Sequence, residues 1–553
     1  MKYKGSEIIV EILERFGVKY MSGIPGGSNL PLYDALYKSK IKHILARHEQ
    51  GAGFIAQGMA RVSGNPAVCL ATSGPGATNL LTAIADARMD SIPIVAITGQ
   101  VSSSLIGTDA FQEVDTYGLT LPITKHNFLV RDIKELFSIV PEAFRIAQSH
   151  RPGPVCIDIP KDIQMKEIDY KWSLLSSREI SNNIQLEGDI EKTAEWINNS
   201  RKPILYIGGG VIHSEASRLL IEVAKKNSIP VVSTLMGLGA FPSDDPLYLG
   251  MLGMHGARYT NFILKECDLL IALGVRFDDR ATGKVEEFCP NSKIIHANID
   301  ISEIDKIKKS HISLVGNIRE ILTLLKPLIK INRREEWIKV IQKIRKDFPM
   351  QAHEKNDPFN PVYFIKKVSD YTTEEAIIVT DVGQHQMWVA QHYPFKRPRT
   401  FLTSGGLGAM GFGLPVSIGA SLAKPDATII LFTGDGSLLM NIQELATLAE
   451  LNCNVKILLF NNGQLGLVRQ QQELFYDKHY IASKFERNPD FKKLGESFGI
   501  ESFDLSSHKN PYKIIKDALG KSGPVLINVP ISPDENVLPM VPPGAPNTEM
   551  IGG

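Results

Sequence analysis

The sequence predicts an α/β protein made of three doubly wound parallel-sheet units. Short apolar, β-branched runs such as Ala427–Thr433 and Val455–Phe460 alternate with helical patterns along nearly the whole chain. Glycine turns follow several of these runs, as at Gly208-Gly209-Gly210 and Gly434-Asp435-Gly436. Polar stretches at 166–190 and 331–358 separate three blocks, 1–165, 190–330 and 360–553. At about 150 residues per domain, a chain of this length has room for three or four.

In the first block, apolar strand candidates lie at 67–71, 93–98 and 154–159. The second opens on Pro203–Ile207 and continues with 229–234, 268–273 and 293–299. The third carries 376–380, 427–433, 455–460 and 524–529. All are near-continuous apolar runs, the pattern of strands covered on both faces by helices. Three blocks of similar rhythm imply one architecture used three times. The ending, Pro539 to Pro546, is too proline-rich for a helix and reads as an ordered lid or a loose end.

Composition narrows the function. The chain has 61 basic and 60 acidic residues, 43% hydrophobic and 22% charged, as in a soluble globular protein. With no basic surplus, nucleic acid and membrane surfaces are excluded as expected partners. Five cysteines without CxxC spacing read as buried thiols in a reducing compartment. No signal segment and no membrane-spanning run is read, so the expected location is cytoplasmic.

The richest stretch runs from Gly434-Asp435-Gly436-Ser437 to Asn461-Asn462. One strand-helix-strand unit places Asp435 and Asn462 at the carboxyl ends of two parallel strands, the edge where open α/β sheets bind ligands. A carboxylate beside an amide oxygen suits Mg²⁺, which completes its octahedron with phosphate oxygens. Gly-dense Ser404–Gly413 can bring backbone N–H groups to a diphosphate. Arg47-His48-Glu49-Gln50 sets an acid at a helix start, a position the macrodipole favours for any acid. Thr72–Asn79 is a tight turn into a helix, and Gly107–Glu113 sets polar groups around Phe111. In the middle block, strand-end loops at 250–256, 273–280 and 298–301 share the ligand edge. No GxGxxG follows its first strand, which disfavours a nicotinamide cofactor.

Together RHEQGAGF, ATSGPGATN, GTDAFQE, RPGPV, GMLGMHG, GVRFDDR, SGGLGAMGFGLP, GDGS, NN and MVPPGAPNTEM resemble the large catalytic subunits of acetolactate synthases, thiamin diphosphate (ThDP) enzymes. The LVRQQQELFY stretch and the ending look most like the bacterial isozyme I form. The resemblance implies ThDP, Mg²⁺ and a structural FAD, and a homodimer core joined by a small regulatory subunit. It implies decarboxylation of pyruvate and transfer of the two-carbon unit to pyruvate or 2-ketobutyrate. Asp435, Asn462 and the Gln464 carbonyl would hold the metal. Glu49 would activate the cofactor, with Phe111, Gln112 and Lys161 lining the reaction centre. Met410 would wedge between the two cofactor rings, and Arg276 would hold the acceptor carboxylate. Pro75, Asn79, Gln384, His385, Gly408, Gly436 and Ser437 would complete the ThDP site. Arg151, Gly208, Gly209, Gly210, His255, Gly274, Arg276, Arg280 and Asp300 match FAD contacts.

Two departures stand out. Gln471 occupies a position that is Trp in many relatives, where it favours 2-ketobutyrate. Asn317 stands where Asp is common. The nearest rival reading is a pyruvate oxidase-type ThDP/FAD enzyme.

Overall fold

The computed structural model describes residues 2–170, 172, 186, 188–350 and 357–552. It contains three six-stranded sheets, parallel throughout and flanked by helices. The first runs, edge to edge, Lys42–Leu45, Tyr20–Gly23, Ala67–Ala71, Ile94–Gln100, Val155–Pro160, His126–Leu129. The middle sheet runs Tyr248–Met251, Val231–Ser233, Pro203–Ile207, Leu269–Leu273, Lys293–Asn298, Ile312–Val315. The third runs Phe401–Leu402, Ile377–Thr380, Ile429–Gly434, Val455–Asn461, Val525–Pro530, Glu501–Asp504.

Counted from each unit's own first strand, the outer sheets share the order 2-1-3-4-6-5. The middle sheet has 3-2-1-4-5-6, the order known for dinucleotide-binding α/β sheets. The architecture is thus used three times, but one topology only twice. The eleven apolar runs read from the sequence are all strands. That reading of runs includes none of the six edge strands, because an edge is only partly covered: His126–Leu129 and Glu501–Asp504 each bury one residue in four. Interior Tyr20–Gly23 escaped it too, being short and only half apolar.

Residues 166–190, expected as a linker, begin with Glu167–Asp169, which pairs antiparallel with Lys2–Lys4. Residues 171, 173–185 and 187 of that stretch lie outside the described residues. Residues 331–358, expected as a connector, hold the helix Glu335–Asp347. Its Trp337 and Ile341 are buried in the middle core, where the Trp337 indole N–H donates to the Pro203 carbonyl. All five cysteines are free and buried. Among the described residues no helix is long and apolar enough to cross a membrane.

The first and third units share one apolar core, reaching from Ile44 through Phe54 and Phe412 to Leu526. At its centre the helices Glu49–Ser63 and Gly413–Ala423 cross at backbone distance. A Cβ on Gly419 would lie 1.9 Å from the Ile55 carbonyl oxygen, and one on Gly58 would lie 2.2 Å from that of Val416. Glycine inside a helix costs about 1 kcal/mol relative to alanine. Here it permits a crossing that no other residue allows. Gly419→Ala should therefore destabilise the protein by about 1–3 kcal/mol through overpacking, read as a lower denaturant midpoint. An unchanged midpoint would contradict this crossing.

Candidate active site

Asp435 opens the helix Asp435–Leu439 directly after its strand, and Asn462 follows the adjacent strand Val455–Asn461. The register Gly434↔Phe460 sets the two strand ends side by side. Asp435 is buried and accepts hydrogen bonds from Asn488 Nδ2 at 2.6 Å, Gly463 N at 2.9 Å and Gly436 N at 3.1 Å. Its donors are neutral, and burial raises its pKa. The Asn462 amide donates to Gln384 Oε1 at 3.2 Å, and Gln464 N donates to Asn462 Oδ1 at 3.3 Å. Gln464 faces Lys484 in a bridge whose hydrogen bonds come from its neighbours Gly463 and Leu465, so its own carbonyl stays outside the pair. A buried carboxylate, an amide oxygen and a carbonyl around one strand end form a set of hard oxygen donors.

The residues expected at the diphosphate lie on the same edge. His385 is buried, which pushes its pKa down to about 3 and keeps the ring neutral. Its Nε2 has no hydrogen-bond partner among the described residues. The ring lies beside Gly434, where a Cβ would approach His385 Nδ1 to 3.2 Å. Ser437 Oγ donates to the Val382 carbonyl, and a Cβ on Gly436 would meet Leu465 at 2.8 Å. Gln384 Nε2 links Gln470 Oε1 and the Glu535 carbonyl. In the glycine-rich loop, Gly408 has φ +71° and open space around it, and Met410 is half-buried. The loop hangs from two anchors. Asp381 accepts from Val382 N, Gly411 N and Gly413 N, and Asp90 of the first unit accepts from Gly405 N and Gly406 N.

In the first unit Glu49 is 8% exposed and accepts from Asn79 Nδ2 at 2.9 Å. Pro75 and Asn79 belong to the helix Pro75–Asp90. Gly74, at φ +58°, allows the backbone of Gln112 to approach so closely that a Cβ would sit 2.8 Å from its carbonyl oxygen. The turn therefore brings Glu49, Pro75, Asn79 and Gln112 together, with Phe111 beside them 88% exposed. Lys161 opens the short helix Lys161–Met165 at the end of Val155–Pro160.

The residues matched to FAD contacts gather at the carboxyl edge of the middle sheet and its border with the first unit. Gly208 and Gly210 pack against Gly274 so tightly that Cβ atoms would meet its backbone at 2.5 and 2.6 Å. Gly209 lies on Met236. His255 is half-buried, its Nδ1 has no hydrogen-bond partner among the described residues, and burial lowers its pKa to about 4. Arg151 crosses from the first unit to Glu303 at 2.8 Å and Asp300 at 3.4 Å. Arg276 donates to the Met89 carbonyl at 2.6 Å, and Arg280 lies exposed beside Asp279 and Met254. Asn317 caps the helix Ile318–Leu328 through Arg319 N, a task an amide performs as well as a carboxylate.

The proline-rich ending is ordered. Lys284 N donates to the Ala545 carbonyl, Asn547 Nδ2 to that of Ala281, Val541 N to that of Met254, and Arg258 to those of Met550 and Gly552.

Sequence reasoning missed Asn488, Asp90 and the contacts of Glu444. Asn488 and Asp90 carry no local signal. Glu444 did carry one, since an acid shares the buried stripe of Leu445 and Leu448.

These half-sites, a buried acid on a helix start and a carboxylate–amide pair on a second sheet, define a thiamin diphosphate-binding enzyme. Residues 3–119 match the thiamine pyrophosphate enzyme N-terminal TPP binding domain, 190–325 the central domain, and 381–529 the C-terminal TPP binding domain. Over 552 residues the chain is 54% identical to the acetolactate synthase isozyme 1 large subunit of Escherichia coli K12, covering 100% of this chain and 98% of that one. It is 45% identical to the isozyme 2 large subunit of the same organism, with 99% of each covered. It is 44% identical to the acetolactate synthase large subunit of Cyanidium caldarium, with 99% of this chain and 96% of that one covered. The chain belongs to the acetolactate synthase large-subunit family. The pyruvate oxidase reading is not favoured.

The loop carrying Phe111 and Gln112 is braced from below. Gln100 Nε2 donates to both the Val114 carbonyl and Asp158 Oδ2, and Thr98 Oγ1 donates to Asp158 Oδ1. Burial pushes the Asp158 carboxyl up to about 7. A folded pKa above the unfolded value means stability fully present below about pH 4 and lost as pH rises through about 7. Asp158→Asn, neutral and of the same shape, should flatten that decline in urea midpoints measured across this range. An unchanged slope would show that Asp158 is not its source.

Proposed function

We propose that this chain catalyses acetolactate synthesis: it decarboxylates pyruvate and joins the two-carbon unit to a second 2-ketoacid, pyruvate or 2-ketobutyrate. The observation that carries the proposal is the pair of half-sites, Glu49 held by Asn79 and Asp435 beside Asn462, in a chain similar to acetolactate synthase large subunits from end to end. In this reading 1–165 binds the pyrimidine ring, 190–330 binds FAD, and 360–553 binds the diphosphate and Mg²⁺.

The residues present fit these groups. A divalent cation would offset the burial of Asp435, whose hydrogen-bond donors among the described residues are all neutral. Asp435, Asn462 and the Gln464 carbonyl would hold it. His385, with its spare Nε2, would serve the diphosphate together with Gln384, Gly408, Gly436 and Ser437. The middle sheet's strand order and the spare Nδ1 of His255 support FAD there, held by Arg151, Gly208–Gly210, Gly274, Arg276, Arg280 and Asp300.

Bound ThDP supplies a carbon nucleophile and an electron sink for decarboxylation. Glu49 holds or releases a proton at its carboxylate against the pyrimidine ring, in a buried setting that keeps water from competing. Met410 would wedge between the rings, and Pro75 and Asn79 would orient the pyrimidine. Phe111, Gln112 and Lys161 line the substrate side, and the Arg276 guanidinium takes the acceptor carboxylate. The docked tail and residues 471–485, the end of the helix Gly466–Phe475 and the loop after it, exclude water from the reacting carbon.

Exposed apolar groups on the loops of both half-sites, among them Leu105, Phe111, Met440 and Ile481, support a homodimer core. The names of the relatives support a small regulatory subunit as partner. We assign the protein to the cytoplasm, with no nucleic-acid or membrane partner.

Product analysis with pyruvate, ThDP, Mg²⁺ and FAD tests the proposal. Acetolactate is expected; acetyl phosphate with oxygen uptake, or acetaldehyde alone, would replace it with an oxidase or a decarboxylase. Glu49→Gln should lower turnover by about 10²–10⁴-fold, with exchange of the cofactor's C2 proton slowed in parallel. Unchanged exchange would remove Glu49 from the activating role.

Acceptor choice should depart from that of tryptophan-bearing relatives. An apolar contact with one methylene is worth about 1–3 kcal/mol, or about 10–200-fold in selectivity. Gln471 is polar, shorter than tryptophan and exposed. Competition between equal pyruvate and 2-ketobutyrate should show little preference, and Gln471→Trp should raise it. A wild-type preference as large as the tryptophan contact would place selectivity on another residue.

A further inference from the structure

The turn that presents Glu49 is gripped from another unit. Glu444 is the first residue of the helix Glu444–Leu451 in the third unit, and its side chain is fully buried. Its Oε1 accepts from Arg47 N at 2.9 Å and from His48 N at 3.1 Å, the two amides immediately before Glu49. Its Oε2 accepts from Thr447 Oγ1 at 2.7 Å, so both oxygens are used. Three further contacts surround this one. Arg47 pairs with Glu450 at 2.6 Å, Thr447 Oγ1 reaches the Leu45 carbonyl at 3.4 Å, and Asn441 Nδ2 reaches Gln50 Oε1 at 3.5 Å. The seat is tight, since a Cβ on Gly51 would lie 2.4 Å from Glu444 Oε1.

This arrangement amounts to an N-terminal cap supplied from outside. The amides at the start of Glu49–Ser63 lack partners within their own helix, and a carboxylate there is favoured by both hydrogen bonding and the macrodipole. Within the first unit His48 Nδ1 already accepts from Gln50 N. Glu444 takes the two amides before the acid. An isolated buried carboxylate is costly, and burial does raise the pKa of Glu444 while the Thr447, Arg47 and His48 donors lower it. A catalytic acid must stay within about 0.5 Å of its productive position.

We propose that Glu444 is the positioning residue for Glu49: bridging the Arg47 and His48 amides from the third unit, it fixes the turn on which Glu49 is carried. The proposal rests on the assignment of Glu49 as the activating acid.

A double-mutant cycle in the full-length chain tests it. Glu444→Ala should reduce kcat by about 10–100-fold, the cost of a misplaced catalytic group, with little change in the KM for pyruvate. Exchange of the bound cofactor's C2 proton should slow in parallel. Hydrogen exchange at the Arg47 and His48 amides should accelerate even without cofactor. Combined with Glu49→Gln, Glu444→Ala should cost little more, because Glu444 acts through Glu49. Glu444→Gln, which keeps one carbonyl acceptor, should recover part of the loss and stands in for the alanine variant in the cycle if that one does not fold. Fully multiplicative losses, or wild-type C2 exchange in both Glu444 variants, would overturn the proposal. If Glu49→Gln itself left C2 exchange unchanged, the Glu49 assignment would fail instead. If Glu49→Gln slowed exchange and Glu444→Ala did not, only the positioning role would fail.

Discussion

Everything at the candidate site depends on how closely two helices cross. The backbones of Glu49–Ser63 and Gly413–Ala423 meet where Gly58 and Gly419 leave no side chain between them. That contact merges the cores of the first and third units, although their sheets lie more than two hundred residues apart in the chain. It also brings each unit's functional loop within reach of the other's carboxylates. Glu444 of the third unit holds the Glu49 turn, and Asp90 of the first unit holds the glycine-rich loop bearing Met410. Arg61 lies between Asp86 and Asp90 at 3.0 and 2.8 Å and donates to the Thr403 carbonyl, neutralising the second brace. The bracing is reciprocal because the outer units share one strand order and pack with equivalent helices face to face.

How much of this could be read in advance follows from the range of the forces involved. Central strands such as Ile429–Gly434 are buried on both faces, so their sequences are continuously apolar and declare themselves. Edge strands such as Phe401–Leu402 owe their conformation to a neighbour and carry little signal of their own. Asp435 and Asn462 were legible because one strand-helix-strand unit fixes both, and local pattern specifies that unit. Asn488 was not, since it lies 53 residues along the chain from Asp435, beyond the unit that local pattern specifies. Glu444 lay between these cases: its helix could be read, but not the surface the helix would meet.

The middle unit shows the same limit. Its glycines were visible as turn-formers. Their tight fit depends on Gly274, contributed by an adjacent strand much later in the chain. Its strand order, which separates it from its two neighbours, depends on connections that residue patterns do not encode.

The ordered tail has a mechanical consequence. The first unit is joined to the third through the crossed helices, and the middle to the first through Arg151 and Arg276. The tail, leaving the third unit at Val537, fastens it to the middle through Met254, Ala281 and Lys284. Three bodies joined pairwise form a triangle, the simplest frame that keeps its shape without a cross-member. In such a frame the orientation of each half-site is set by the contacts between the units.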